Sequence, residues 1–226
     1  MNALIWKRLK EVRTRWINFI LFLIIPPFYL ISLFFITKKI DNIMAYAPVC
    51  ITLLCTLIHF SVDDLVSSEA LLSTSLSVKK IWITNILFTV ITTYVYCTIL
   101  IFLGVVYLYM MGNRVLISMN VIIQYITNLI LAFSLVGGAT CHYSDYSYIK
   151  KLIASFISII NIAVPILFFL YINSIFIDKM IIFISLLIGI LLFSTCYFVV
   201  YNANKEKIII NIQILVASYN SNNIEE

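Results

Sequence analysis

The chain has 226 residues, of which 63% are hydrophobic and 11% charged, with a mean hydropathy of +1.08. A soluble domain carries about 25% charged residues, so this composition excludes a soluble globular or disordered chain and points to an integral membrane protein. In such a chain the net charge of +5 reports on topology before it reports on any nucleic-acid partner, and none is expected here.

Residues 1–16 place Ile5, Leu9, Val12 and Trp16 at i, i+4, i+7 and i+11, while Lys7, Arg8, Lys10 and Arg15 lie off that stripe. On a helix this division gives an amphipathic elbow lying in the membrane interface, apolar face toward lipid and basic face toward anionic headgroups. A topogenic basic tail with a Trp anchor accounts for the same residues.

A helix needs roughly 20 apolar residues to cross about 30 Å of hydrocarbon. Six runs qualify: 17–36, 43–62, 81–110, 115–135, 152–172 and 180–201, none with an Asp, Glu, Lys or Arg inside. Barrel strands need only about 9–11 alternating residues, so these runs predict an all-α integral membrane protein with six transmembrane helices, treated as one transmembrane domain over 1–226. The first run follows a basic segment as a signal peptide would. It is longer than a typical h-region and no clear A-x-A site follows, so it is expected to be retained as a span.

With the N-terminus in the cytoplasm, the tail to Arg15, the connections 63–80 and 136–151 and the tail 202–226 hold 11 basic residues. The other side holds four, Lys38, Lys39, Arg114 and Lys179. The positive-inside rule therefore predicts a multi-pass protein of the cytoplasmic membrane with both termini in the cytoplasm. The connections 37–42, 111–114 and 173–179 are short, so a soluble partner is expected on the cytoplasmic side.

The stretch 61–85 is the most informative. Asp63 and Asp64 suit a helix N-terminus, and Leu65, Leu72 and Leu76 share a face with Glu69 beside them; Lys79 and Lys80 mark re-entry into the membrane. A short helix with leucines and one carboxylate suits insertion into a groove on another protein, and it also suits an interfacial helix resting on lipid. The segment Glu69-Ala70-Leu71-Leu72-Ser73-Thr74-Ser75-Leu76-Ser77-Val78-Lys79-Lys80-Ile81 resembles the coupling-helix motif of the permease subunits of type-2 ATP-binding-cassette exporters. Glu69, Leu71, Leu72, Ser77, Lys80 and Ile81 fit that motif. Ser75 stands for its frequent Pro, Val78 for its Arg, and Asn85 for the Lys that often begins the third span.

The resemblance implies an N-terminal elbow helix, six spans and a coupling helix between the second and third, carried here by 64–77. Asp64, Leu65, Ser68, Glu69, Leu72 and Leu76 would then meet the ATPase. It also implies a second permease copy or paralogue, and an ABC ATPase partner, two copies, holding ATP and Mg2+. The short segment after the fifth span departs from larger relatives, which place re-entrant helices there. An ABC importer loop fits less well: Glu69-Ala70 agrees, but Ser75 occupies its Gly position, Asn85 its Ile, and Leu87-Phe88 its Leu-Pro.

With five Gly and no G-x-x-x-x-G-K-[ST], the chain has no P-loop of its own, so no cofactor is expected in it. His59 and His142 are the only histidines, and no H-E-x-x-H, G-x-S-x-G or intramembrane Asp pair occurs, so neither a catalytic nor a metal site is predicted. Cys50, Cys55, Cys97, Cys141 and Cys196 form no C-x-x-C. Charge-free spans argue against ion coupling.

Within the third run Asn85, Thr89, Thr92 and Tyr96 recur at helical spacing, and in the fourth Asn120, Gln124, Thr127 and Asn128 share a face. These stripes line a path for amphipathic cargo or bond helices to one another; unpaired amides facing lipid are excluded by cost. Pro26, Pro27, Pro48 and Pro165 predict helix bends, and Pro165 cannot bond the Asn161 carbonyl. The expectation is an exporter permease that moves a hydrophobic or amphipathic substrate outward by alternating access. Peptides, as in antimicrobial export or immunity, are favoured over lipids and drugs. An intramembrane enzyme and a non-transporting scaffold are the alternatives.

Overall fold

The computed structural model describes residues 16–37, 39–59, 77–112, 117–140, 148–175, 177–206 and 208–210. Six helices make up almost all of this, and no strand occurs among the described residues: α1 (Trp16–Ile36), α2 (Ile40–His59), α3 (Val78–Met110), α4 (Met119–Thr140), α5 (Tyr148–Tyr171) and α6 (Lys179–Tyr201). Four contain stretches long and apolar enough to cross a membrane: Phe19–Ile36, Val78–Met110, Met119–Gly138 and Lys179–Tyr201. α2 and α5 supply the shorter apolar stretches Ile40–Thr56 and Ile159–Tyr171 among the described residues. The all-helical, membrane-compatible architecture expected from the charge-free runs is therefore present, with four of the six runs meeting the spanning criterion.

Helix boundaries depart from the run boundaries in a physically consistent way. The third run starts at residue 81, yet α3 starts at Val78, because the Ser77 hydroxyl caps it by accepting the Lys80 amide at 3.4 Å. α6 starts where Asp178 accepts the Lys179 amide at 2.7 Å. Side-chain oxygens at these positions satisfy amide donors that have no partner inside the helix. α4 runs to Thr140, through Gly137 and Gly138, past the run that ends at 135. At 33 residues α3 is about 50 Å long, well beyond the hydrocarbon thickness of a bilayer.

α2 and α4 form the centre. α4 packs against α6, α2, α3 and α5, and α2 packs against α4, α3, α1 and α5. Accordingly Ile43, Ala47, Ile51, Leu53 and Cys55 of α2 are sealed from the surface, as are Ala132 and Val136 of α4. The outer faces are apolar as well: Phe28, Phe35, Met110, Leu170 and Phe198 are largely exposed, a surface suited to lipid and not to water.

A small residue brings α6 close to α4. At Gly189 of α6 an added Cβ would lie 3.4 Å from both Cα and N of Leu131 on α4. The Ser134 hydroxyl donates to the Gly189 carbonyl at 2.6 Å. Backbone approach of this kind is what small residues permit in a bundle that lipid cannot drive together. Gly189→Leu is expected to force α6 off α4 and to cost about 1–3 kcal/mol, read as a lower melting temperature in detergent.

Pro26 and Pro27 lie inside α1, Pro48 inside α2 and Pro165 inside α5, and at Pro27 the bundle supplies a replacement donor. Pro27 has no N–H for the Leu23 carbonyl, and the Tyr96 hydroxyl of α3 donates to that carbonyl at 3.1 Å. The Tyr29 hydroxyl of α1 reaches the Pro165 carbonyl of α5 at 2.9 Å.

Candidate functional site

All the buried polar side chains among the described residues are uncharged: threonines, Asn, Gln and Ser. Their best-connected group lies on α4. Gln124 and Asn128 stand one turn apart, so the Gln124 amide donates to Asn128 Oδ1 at 2.9 Å and reaches Ser185 Oγ of α6 at 3.3 Å. The Asn128 amide donates to the Ala45 carbonyl of α2 at 2.7 Å. Three helices are thereby bonded through two primary amides. Farther along, Thr52 of α2 and Thr93 of α3 share a 2.9 Å hydroxyl contact, and Thr98 of α3 meets the Tyr125 hydroxyl of α4 at 2.6 Å.

The two stripes predicted from spacing occupy different seams. On α3, Asn85 and Thr89 are buried, and the Thr92 hydroxyl folds back on the Phe88 carbonyl at 2.6 Å. Tyr96 faces α1, where its ring stacks on Phe22 at 5.5 Å between centroids. Gln124 and Asn128 face α2 and α6, and Asn120 is half-buried at the start of α4.

Several buried polar atoms carry no hydrogen bond: the Tyr46 and Tyr94 hydroxyls, Gln124 Oε1, and both side-chain atoms of Asn161. Asn161 on α5 is fully buried, and Pro165 withdraws the amide that an α-helix would offer its main-chain carbonyl. Spacing does not single out this side chain, because the polar residues before it on α5 are small serines, Ser155 and Ser158; its position one turn before a proline is the available signal.

The two ends of the bundle are tied differently. At the end holding the α1–α2 and α5–α6 connections, the buried Asn42 amide donates to the Ile172 and Ile175 carbonyls at 2.7 and 2.9 Å. Lys39 Nζ donates to the Asn173 carbonyl at 2.6 Å. At the opposite end, where α2 leads to α3, the Lys79 ammonium donates to the Tyr197 hydroxyl and lies 4.5 Å from the centre of that ring. Beside it, Trp82 Nε1 donates to the Gly137 carbonyl at 3.1 Å, and its ring stacks on Phe193 at 6.0 Å. None of these anchors is legible as a motif, because each joins residues more than 50 positions apart.

Cys50, Cys55, Cys97 and Cys196 are buried and in no disulfide, and no group of three His, Cys, Asp or Glu among the described residues could hold a metal ion. Asp64, Leu65, Ser68, Glu69, Leu72 and Leu76 lie outside the described residues, as do Ile5, Leu9 and Val12. Trp16 is the first residue of α1. No protein-family model, curated protein or solved structure matches the chain.

Proposed function

We propose that the chain is the permease subunit of a type-2 ATP-binding-cassette exporter. All six helices span the membrane, both termini are cytoplasmic, and a separate ATPase pair works on a dimer of permease subunits. The observation that carries this reading is the Glu69–Ile81 motif in the connection from α2 to α3. Two features of the bundle support it.

First, a displacement of that connection enters α3 directly at its Ser77 cap, and the Lys79–Tyr197 bond passes it on to α6. Second, the centre of the bundle holds uncharged amides and hydroxyls, several without partners, amid apolar side chains. Such a lining accepts an amphipathic or hydrophobic cargo and holds no charged side chain to pair with an ion. Helix movement that breaks the Asn42 clamp at one end and separates α2, α4 and α5 would give alternating access.

Purification of the tagged protein from its native host in mild detergent, followed by mass spectrometry and an ATP-hydrolysis assay, tests the proposal. A P-loop ATPase is expected in stoichiometric yield. Its reproducible absence from a folded preparation would overturn the exporter reading in favour of a scaffold or an intramembrane enzyme.

A further inference from the structure

Beside the Lys79 anchor a groove of about 430 Å³ runs between α3, α4 and α6, lined by Leu87, Ile130, Phe133, Ile190, Phe193 and Tyr197 among others. Its lining is almost wholly apolar, and Ile190 and Ser194 leave it open to the lipid-facing side. From Tyr197 to Ile190 it follows α6 for two turns, about 10 Å. The volume falls in the range of small-ligand pockets.

The groove has a polar head at one end only. Tyr197 belongs to the groove wall and also accepts from Lys79, whose ammonium lies 5.8 Å from the centre of the Tyr201 ring as well. An ammonium has three N–H donors, and the bond to Tyr197 uses one. Lys80 is exposed next to it at the start of α3. Basic side chains with stacked aromatics above an apolar slot match a membrane lipid's own division into phosphate and hydrocarbon.

We propose that this groove holds one acyl chain of an anionic glycerophospholipid whose phosphate is bound by Lys79 and Lys80. The lipid comes from the leaflet on the side of the α2–α3 connection and wedges α3, α4 and α6 at their shared end. Charge complementarity selects this occupant: Lys79 is bonded to Tyr197 of the groove wall, Lys80 is its exposed neighbour in the chain, and the described groove wall contains no carboxylate. A zwitterionic lipid would place a second cation against them. The inference needs only that these helices lie in a bilayer, so it stands or falls apart from the exporter reading.

Trp82 stacks on Phe193 of the groove wall and reports on its contents. The full chain, with Trp6→Phe and Trp16→Phe, would be reconstituted in vesicles containing phosphatidylglycerol or phosphatidylcholine brominated on the acyl chains. Half-maximal quenching of Trp82 is expected at an about fivefold or greater lower mole fraction of the phosphatidylglycerol, the factor one membrane-proximal lysine contributes. Lys80→Gln, at an exposed position, should lose most of that preference, and Lys79→Gln with Lys80→Gln all of it. Ser194→Phe, which fills the open side of the groove, should weaken quenching by the anionic lipid. Equal quenching by the two lipids overturns the proposal, as does a preference unchanged in these variants. Quenching by neither lipid would also overturn it, because the groove is then covered by protein.

Discussion

On the proposed function, Glu69→Lys is expected to abolish transport-coupled ATP hydrolysis while leaving membrane insertion and the helical bundle unchanged. Glu69 lies in the connection between His59 of α2 and Val78 of α3, eight residues before the Ser77 cap. It belongs to none of the described helices. At an interface with an ATPase, loss of a carboxylate from a charge pair costs about 2–5 kcal/mol, enough to disengage a coupling helix. ATPase stimulation by cargo, measured in the intact complex, reads the effect. Full stimulation in that variant, with both subunits present, would remove Glu69 from the coupling surface. A resting lipid-facing loop would give near-neutral behaviour in the same assay.

Asn161→Leu is expected to stabilise the bundle. The Asn161 amide is fully buried and neither of its side-chain atoms is hydrogen-bonded. A buried polar group without a partner costs about 1–3 kcal/mol relative to an apolar group of similar shape. Replacement by Leu should raise the melting temperature by several degrees and favour the conformation described here. If α5 must move for cargo to pass, as alternating access requires, the same change should slow transport. A fall in melting temperature would mean that the amide is paired in the assembled protein, and its contribution would then be structural. Asn161→Gln, which keeps the amide, should not give the stabilisation that Leu gives.

The same two residues show how unevenly the molecule can be read from its chain. Glu69 is conspicuous because the residues that define its motif are neighbours in sequence. Asn161 is marked in the chain only by its place one turn before Pro165, and its burial shows only in three dimensions, because it depends on α2 and α4 closing over α5. The stripe on α3 is a further case. Its spacing groups Tyr96 with Asn85, but the Tyr96 hydroxyl is drawn to the carbonyl that Pro27 frees on α1, while Asn85 is buried in the bundle. Periodicity reports which residues share a face and is silent on which helix that face meets.

Composition and charge spacing alone pointed to helices apolar enough to cross a membrane, since a backbone crossing hydrocarbon must bond to itself and charge-free runs of this length permit only helices. They also marked the prolines inside α1, α2 and α5 and the motif-bearing connection before α3. The tertiary structure alone decided that α2 and α4 are central, that Gly189 lets α6 approach α4, that Asn42 clamps one end and that Lys79 binds α3 to α6 at the other. Each of these rests on contacts between helices distant in the chain, and in lipid such contacts are selected by small-residue packing and hydrogen bonding, not by the hydrophobicity that marks the helices.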